Sequence, residues 1–413
     1  MTFEQMWRDL APVGRSASSG GYFRQPWTTA ETELRTWFAE QARARGLRLV
    51  VDALGNQVAW WDPADGSGAR TDGLLTGSHL DSVLDGGAYD GPLGVVSAFA
   101  ALDRLREQGH APARPLGVAA FVEEEGSRFG RACLGSRLAV GAADWTTVRE
   151  LRDRDGVALP DALVAAGLDP APLERGDDVR DGTGILAGVA AYVELHVEQG
   201  RDLVHRDVPV ALGSQIWPHG RWRFDFTGEA NHAGTTRMED RRNPMLTYAM
   251  TALAADKQAR LADLRATFGR VEVSPNGVNA VPGRVSAWLD ARGADDAAVR
   301  ALVATVERQA TERADRDGTA VTVSAESVTA PVHFDTDLTA RIDAAVVEGG
   351  GLPVIPTGAG HDAGVLAEAG VPTAMLHVRN PSGVSHAPGE HAETADCLAG
   401  VEALAAALRS LTS

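Results

Sequence analysis

Residues 73–109, GLLTGSHLDSVLDGGAYDGPLGVVSAFAALDRLREQG, carry a strand, a loop and a helix in one continuous stretch. The segment up to Ser78 is apolar enough for a buried strand, and a helix is expected from Pro92 until Gly109 ends it. Between the two, one histidine and three aspartates stand in a glycine-rich loop. Ligands of open α/β sheets bind beyond the carboxyl ends of the strands. The stretch therefore predicts an α/β fold and places a candidate site in this loop.

Strands and helices alternate on both sides of this stretch. Residues 28–46 have the apolar stripe of a helix, for which Thr28 and Glu31 predict a capping box. Two short strands, LRLVVD and QVAWW, follow this helix, and PLGVAAFV at residues 115–122 is a second buried strand that ends at three glutamates. We therefore expect a mostly parallel sheet covered by helices.

A different pattern interrupts this alternation at residues 213–327. The segments RWRFDFTG, RVSAWLDAR and TAVTVSAES alternate apolar and polar residues, as half-exposed antiparallel strands do. Helices are expected among them at about 243–267 and 294–316. Beyond this region, predicted helices and strands alternate again. We therefore expect an α+β domain at 213–327, inserted into an α/β domain formed by residues 1–212 and 328–413.

Composition limits the classes of protein to which the chain can belong. At 413 residues it exceeds the usual size of a single core, and its net charge of −17 argues against binding to nucleic acid or to an anionic membrane. The start of the chain lacks a signal-peptide pattern, and no apolar run reaches the ~18 residues of a membrane span, so we expect a cytoplasmic protein. Cys133 and Cys397 are too few for a disulfide framework and are expected to be buried thiols.

Potential metal ligands collect at the predicted strand ends, in four segments. These segments contain His79, Asp81 and Asp90 in the first loop, the glutamates of FVEEEGSRFG (121–130), His196 in YVELHVEQG (192–200) and His386 in GVSHAPGEHAE (383–393). Imidazole and carboxylate groups ligate zinc, manganese and cobalt, and adjacent carboxylates repel unless a cation or protons neutralise them. Each segment alone could be a structural histidine or a solvated acidic turn. Since all four fall in the α/β domain, together they favour a hydrolytic site with two metal ions.

Longer motifs carry a resemblance to a known family. The segments GSHLDSV, GGAYDGPLGV, EEGSRF, ELHVEQG, GEANHAGTT, NGVNAVPGRV, GAGHDA and GVSHAPGEH follow one another in the order seen in the amidase branch of the M20 metallopeptidase clan. From about residue 20 to residue 410, the chain resembles N-carbamoyl-L-amino acid amidohydrolases, bacterial β-ureidopropionases and allantoate amidohydrolases. SHLDSV, EEGSRF and NHAGTT distinguish this branch from the peptidases of the clan. The resemblance implies a metal-binding α/β catalytic domain with an inserted α+β domain that serves as a dimerisation or lid domain.

The resemblance also implies a metal site and a catalytic base. The positions that match ligands of two divalent ions per subunit are His79, Asp90, Glu125, His196 and His386, with Asp90 bridging the pair. Glu124 matches the general base, and Asp81 matches the group that orients His79. Such paired ions share a water molecule whose pKa falls toward neutrality, and Glu124 is then free to accept its proton. Manganese or zinc is expected, and the ligand set also accepts cobalt or nickel.

Further matched positions concern the substrate and a second subunit. Asn279 and Arg292 match a pair that grips the substrate carboxylate, a task suited to the two parallel hydrogen bonds of an arginine. His232 matches a histidine that reaches the site of the other subunit and stabilises the oxyanion, which implies a homodimer formed through the inserted domain. Additional substrate contacts are implied for Gln199, His219, Gly360 and His361.

The chain departs from the family pattern at several places outside the ligand positions. Arg237 stands where proline is usual after HAGTT, Asn243 replaces a common aspartate, and His219 stands where several relatives have glutamine. HVRNPSG, which contains Arg379, replaces a more apolar approach to the last histidine. Since none of these positions is a metal ligand, the departures concern substrate specificity rather than catalysis.

The expected function is hydrolysis of a ureido or carbamoyl C–N bond in a small carboxylate. Allantoate is the first expected substrate, giving ureidoglycine or ureidoglycolate, ammonia and carbon dioxide. N-carbamoyl-L-amino acids are the runner-up, and a β-ureidopropionase is a related alternative. Two other classes stay open, namely a peptidase or aminoacylase of the same clan and a binding protein that has kept the fold without its chemistry.

Overall fold

The computed structural model describes residues 1–64, 72–175 and 184–413. Its helices are α1 Phe3–Leu10, α2 Thr29–Ala44, α3 Pro92–Glu107, α4 Leu134–Ala139, α5 Trp145–Val148, α6 Leu159–Ala165, α7 Ala171–Arg175, α8 Asp202–Arg206, α9 Pro244–Ala262, α10 Asp296–Asp317, α11 Thr336–Val346, α12 Asp362–Glu368 and α13 Thr394–Thr412. Its strands are β1 Arg48–Val51, β2 Gln57–Trp61, β3 Gly73–His79, β4 Leu116–Phe121, β5 Val189–Val197, β6 Val210–Ile216, β7 His219–Thr227, β8 Asn231–His232, β9 Arg265–Ser274, β10 Ala280–Val281, β11 Arg284–Arg292, β12 Ala320–Thr329, β13 Val332–His333, β14 Val354–Thr357 and β15 Thr373–Val378.

The described residues form two compact units. The first comprises Met1–Gln215 and His333–Ser413, and the second comprises Ile216–Val332. The bounds expected from the sequence, 213 and 327, fall a few residues earlier at each end. At the first bound, β6 (Val210–Ile216) still pairs in the large sheet beyond residue 213, and at the second bound, β12 of the smaller sheet extends to Thr329.

A nine-stranded sheet organises the first unit. Its strand order is β1-β2-β4-β3-β5-β15-β6-β13, and β14 also pairs with β6. The four central strands β4, β3, β5 and β15 are parallel, whereas β1, β2 and β6 run antiparallel to the neighbours for which the register is defined. Every residue of β3, β4 and β15 is buried, as expected for strands with helices on both faces. The sheet is therefore parallel at its centre and antiparallel toward its edges.

Helices α2, α3 and α13 supply much of the apolar core against this sheet. Pro92 occupies the first turn of α3, as the sequence predicts. The capping box predicted for α2 is absent, because the Thr28 hydroxyl donates to the Gln25 carbonyl at 2.6 Å rather than accepting from the helix. The Glu31 carboxylate instead accepts from the backbone N–H of Trp27 at 3.2 Å and pairs with Arg35 at 2.7 Å. Glu31 therefore fixes the turn before the helix.

The second unit is a four-stranded antiparallel sheet with order β12-β7-β11-β9, together with helices α9 and α10. Phe224, Phe226 and Leu289 lie in its buried core. The predicted helix at 243–267 was too long, because Asp263 adopts the left-handed conformation with φ 53° and ends α9. The following residues form β9, a strand that the sequence analysis missed. The α+β class of this unit agrees with the expectation.

Two of the departures from the family pattern have structural roles. Asn243 is the N-cap of α9, where its side-chain oxygen accepts from the backbone N–H of Met245 at 3.1 Å. Asparagine and aspartate serve equally well at this position. Arg379 forms ion pairs with Asp396 at 2.8 Å and with Asp207 at 3.0 Å.

Among the described residues, no helix has the length and apolar character needed to cross a membrane.

Candidate metal centre

The candidate centre lies at the carboxyl ends of the parallel strands. His79 ends β3 and pairs in register with Phe121, which ends β4. Glu124 and Glu125 lie three and four residues beyond the end of β4 and so reach the same edge of the sheet. His196 lies near the end of β5, the other neighbour of β3. Parallel pairing therefore brings to one edge residues that are far apart in the sequence.

Asp90 lies at the middle of the cluster. Its Oδ1 atom is 3.1 Å from Nε2 of His196 and 3.5 Å from Nε2 of His79. Its Oδ2 atom is 3.3 Å from Nε2 of His386, which in turn lies 3.4 Å from Oε2 of Glu125. The two carboxylate oxygens thus face two different groups of ligand atoms. The structure brings together all five positions expected to bind metal.

These atoms form two groups that could each hold a cation. His79, Asp90 and His196 offer one set of ligand atoms, and Asp90, Glu125 and His386 offer another, with the atoms of each set within 4.8 Å of one another. Because Asp90 belongs to both sets, its carboxylate is placed to bridge two ions. A carboxylate shared between two sites is the arrangement found in two-metal hydrolases.

A glycine makes this arrangement possible. Gly91 follows Asp90 with φ 84° and precedes α3. A Cβ atom at this position would collide with the ring of His79. Any other residue would therefore displace either the imidazole or the backbone that carries Asp90.

The two buried histidines are oriented by main-chain oxygens. Nδ1 of His79 is 3.2 Å from the carbonyl oxygen of Asp81, and Nδ1 of His196 is 2.8 Å from the carbonyl oxygen of Val197. With Nδ1 protonated, Nε2 of each ring is left as a free electron-pair donor. The Asp81 carboxylate, 3.5 Å from Nδ1 of His79, also accepts from the backbone N–H groups of Glu124 at 3.2 Å and Glu125 at 3.1 Å. Asp81 therefore fixes the backbone of Glu124 and Glu125 in addition to lying beside His79.

The donor set fits a divalent cation. The Nε2 atoms of His79 and His196 are buried and have no hydrogen-bond partner among the described residues. Burial, together with neighbouring acids, raises the pKa of Glu124 well above its usual value and that of Glu125 to about 7. Burial also works to raise the pKa of Asp90, but its close contacts with the imidazole rings of the three histidines lower it well below its usual value. Free imidazole nitrogens beside crowded carboxylates are the chemistry that a divalent ion neutralises.

Glu124, the candidate base, is held by a residue that sequence reasoning missed. Its Oε1 atom lies 3.2 Å from the sulfur of Cys133, and its Oε2 atom lies 3.8 Å from Nε2 of His79. Cys133 is buried in front of α4 with φ 55°. Its backbone N–H also donates to the carbonyl of Glu124. The sequence predicted a buried thiol at this position but gave no sign of its partner.

Gln199 lies inside the cluster rather than at its margin. Its Nε2 atom donates to Oδ2 of Asp90 at 2.7 Å and to the hydroxyl of Ser385 at 3.1 Å, and it lies 3.4 Å from Nε2 of His386. His361 is buried beside the cluster, with its ring centroid 4.5 Å from that of His196. The preceding residue, Gly360, is exposed.

The remaining predicted site residues belong to the second unit and form two pairs there. His232 and Asn279 are exposed neighbours, since β8 pairs with β10 and the Asn279 carbonyl accepts from the N–H of Ala233 at 2.9 Å. Arg292 ends β11 opposite His219 in register, and its guanidinium pairs with Asp290 at 2.6 Å. Exposed Arg237 lies 3.6 Å from Glu239.

The fold and the cluster define the class of protein. An α/β unit that gathers three imidazoles and three carboxylates at one sheet edge, interrupted by an α+β unit, is a hydrolase with a site suited to divalent metal ions. Comparison with known proteins narrows this class.

Residues 75–410 match the model of peptidase family M20/M25/M40. The chain is 35% identical to an N-carbamoyl-L-amino acid amidohydrolase of Geobacillus stearothermophilus, over 97% of this chain and 96% of that protein. It is 33% identical to an allantoate amidohydrolase of Escherichia coli strain K12, over 95% and 93% of the two chains. A solved structure of AtUAH in complex with glyoxylate is similar with a TM-score of 0.86 at 26% identity, covering 99% of this chain and 97% of that one.

The chain belongs to peptidase family M20/M25/M40. It is an enzyme of this family, a hydrolase of C–N bonds, as the resemblance in its motifs predicts. The two-domain α/β fold expected from the sequence is also confirmed.

Proposed function

We propose that the chain is a two-metal amidohydrolase that cleaves the ureido C–N bond of allantoate. The observation that carries the proposal is the position of Asp90 between His79 and His196 on one side and His386 on the other, with Glu124 beside them. His79, His196 and Asp90 would hold one divalent ion, and Asp90, Glu125 and His386 the second. Manganese or zinc suits this set of nitrogen and oxygen ligands, and cobalt or nickel also fits.

The names of the relatives support this substrate class. One relative is named for N-carbamoyl-L-amino acids and another for allantoate, and AtUAH was solved with glyoxylate bound. Allantoate and N-carbamoyl amino acids share a ureido group next to a carboxylate. N-carbamoyl-L-amino acids are therefore the second candidate substrate, favoured by the relative from Geobacillus stearothermophilus.

The chemistry assigns a distinct task to Glu124. When bound, divalent ions would polarise the scissile carbonyl and lower the pKa of a water molecule in the site. Glu124 accepts the proton of the attacking water and passes it to the departing nitrogen as the C–N bond breaks. Burial raises the pKa of its carboxyl well above the usual value. Allantoate and water then give ureidoglycine, ammonia and carbon dioxide, a step of purine catabolism that would take place in the cytoplasm.

Residues of the inserted unit would recognise the substrate. Arg292, whose Nε and Nη2 atoms donate to Asp290, would bring a guanidinium charge to the substrate carboxylate. Asn279 and His219 would add polar contacts, and so would Gln199, His361 and Gly360 of the first unit. His232 is exposed, and we propose that it stabilises the oxyanion in the site of a second subunit.

Homodimerisation is part of this proposal, because an oxyanion contact supplied in trans requires a partner. Helix α9 exposes Leu246, Met250 and Leu253, which recur at the spacing of one helix face. Exposed apolar stripes of this kind are typical of protein–protein interfaces. Sedimentation analysis should therefore give a dimer.

The function is tested by a substrate panel. Purified protein reconstituted with Mn²⁺ is given allantoate, N-carbamoyl-L-amino acids, a dipeptide and an N-acyl amino acid, and the ammonia or amino acid released is measured. We expect ammonia from allantoate and a much lower rate with the others. Turnover of N-carbamoyl-L-amino acids alone would replace allantoate by the second candidate. Release of amino acids from the peptide or acyl substrate would overturn the reaction class.

A further inference from the structure

Glu390 is a buried carboxylate that none of the roles described above uses. It lies in the loop that carries His386 and is 5% exposed. Its Oε2 atom accepts from the backbone N–H of Tyr89 at 2.8 Å and from the backbone N–H of Asp90 at 3.0 Å. A single side chain therefore ties the loop of one candidate ligand to the backbone of another.

The second oxygen of Glu390 extends this connection. Its Oε1 atom accepts from the hydroxyl of Ser385 at 3.3 Å, and the same hydroxyl lies 3.3 Å from Oδ2 of Asp90. Gln199 donates to both Ser385 and Asp90. Since a hydroxyl has one hydrogen, Ser385 donates to either Glu390 or Asp90 at a given moment while it accepts from Gln199.

The backbone opposite Glu390 is shaped to admit the carboxylate. A Cβ atom at Gly87 would collide with the carboxylate and the Cβ of Glu390. The glycine-rich loop before Asp90 therefore lets the side chain of Glu390 approach the main chain closely. Burying a carboxylate is unfavourable unless hydrogen bonds satisfy it, and here the donors belong to the residues that set the position of Asp90.

We propose that Glu390 is a positioning residue that fixes Asp90 relative to His386 and thereby sets the affinity for the divalent ions, an inference that rests on the proposed metal site. Glu390 itself has no ligand role. It acts by holding the Asp90 backbone at the spacing that lets one carboxylate face both groups of ligand atoms. Groups that orient metal ligands in this way typically change metal affinity by about 10–100-fold when they are removed.

Three variants separate this role from a merely structural one. Glu390→Ala removes all three hydrogen bonds and leaves two backbone N–H groups unpaired. Glu390→Gln keeps an oxygen that can accept from the Asp90 amide, so it should restore most of the affinity. Glu393→Ala is the matched control, because Glu393 is exposed on the same segment and its loss changes the charge by the same amount.

The test measures cation binding rather than turnover. Metal-free protein is titrated with Mn²⁺ by calorimetry and with Co²⁺ by visible absorption, which reports the coordination of the ion, and the melting temperature of each metal-free variant is recorded. We expect Glu390→Ala to weaken binding by about 10–100-fold and to alter the Co²⁺ spectrum. Glu390→Gln should stay within a few-fold of the wild type, and Glu393→Ala should match it.

The outcomes distinguish the inference from the proposed function. A Glu390→Ala variant that melts at a lower temperature but binds both cations like the wild type would give Glu390 a purely structural role and overturn the inference. The inference would also be overturned if Glu390→Gln bound the cations no more tightly than Glu390→Ala. Asp90→Asn serves as the control that lacks the shared carboxylate. If the wild-type chain bound divalent ions no better than this control, the proposed function itself would be overturned.

Discussion

Replacement of Cys133 tests how the proposed base is held. Its sulfur is 3.2 Å from Oε1 of Glu124 in a buried part of the site. Burial, together with the nearby charge of Glu124, raises the pKa of the Cys133 thiol well above its usual value. The thiol therefore stays protonated and donates its hydrogen to the carboxylate. We expect this bond to hold Glu124 in the orientation that proton transfer requires.

The size of the effect follows from the kind of bond. A thiol is a weak donor, but its acceptor is a carboxylate in a buried site, so the bond contributes about 1 kcal/mol. If loss of the bond makes the reactive orientation of Glu124, which the transition state requires, less favourable by about 1 kcal/mol, kcat falls about fivefold. KM should not change, because Cys133 lies behind the base and binds no part of the substrate. Cys133→Ala is therefore expected to lower kcat alone, whereas Cys133→Ser keeps a hydroxyl donor and should retain most of it.

The assay follows ammonia release from allantoate by metal-loaded wild type, Cys133→Ala and Cys133→Ser. Cys397→Ala is the control, since Cys397 is also a buried free thiol but lies in α13. A Cys133→Ala enzyme with the kcat of the wild type would refute the reasoning. The same conclusion would follow if Cys133→Ser lost as much activity as Cys133→Ala, because geometry rather than hydrogen bonding would then be responsible.

Three further variants or treatments test the rest of the proposed site. Glu124→Gln should lower kcat by about 10²–10⁴-fold while the bound metal, measured by atomic emission, stays unchanged, and near-normal turnover would exclude Glu124 as the base. Arg292→Ala should lower kcat/KM for carboxylate substrates by about 10–100-fold through the loss of charged hydrogen bonds, whereas the exposed Arg270→Ala should have no effect, and equal losses would contradict the assignment. Chelation should abolish ammonia release and lower the melting temperature, because Asp90, Glu124 and Glu125 then repel one another without a cation, and added Mn²⁺ should restore both. A metal-free protein as stable as the loaded one would argue against this electrostatic account.

The four segments that carry the candidate ligands could be found from local patterns in the sequence, whereas the choice of individual ligands, such as Glu125 among three glutamates, came from the resemblance to the family. His79 and His196 stand at the ends of apolar strands, and Asp90 precedes a helix opened by Pro92. The rule that strand ends meet at one edge then predicts their proximity without any coordinates. The structure brings these residues together, along with Glu125 and His386.

Residues that act through distant partners could not be found in this way. Glu390 bonds the backbone of Asp90, and Cys133 bonds Glu124, but nothing in either local sequence indicates the partner. The same holds for the Asp81 carboxylate, whose bonds to backbone N–H groups depend on the turn that follows β4. Such contacts are determined by tertiary structure alone.

The errors in secondary structure have a similar origin. The expected helix runs into the first residues of β9 because no glycine follows α9, and Asp263 ends that helix in the left-handed conformation that glycine usually adopts. The capping box at Thr28 failed because the buried Glu31 carboxylate binds the N–H of Trp27, one residue before the expected partner. In both places the helix itself is correctly predicted. Its end or its cap differs because of a local conformation or contact that the sequence pattern does not specify.

The most direct test of the central claim is a crystal structure of the protein grown with Mn²⁺, with anomalous scattering used to locate the ions. The account predicts two anomalous peaks that share the Asp90 carboxylate, one ligated by His79 and His196 and the other by Glu125 and His386. Peaks elsewhere, or crystals that soak up no ion at this edge of the sheet, would contradict the proposal that these five side chains form a two-metal centre.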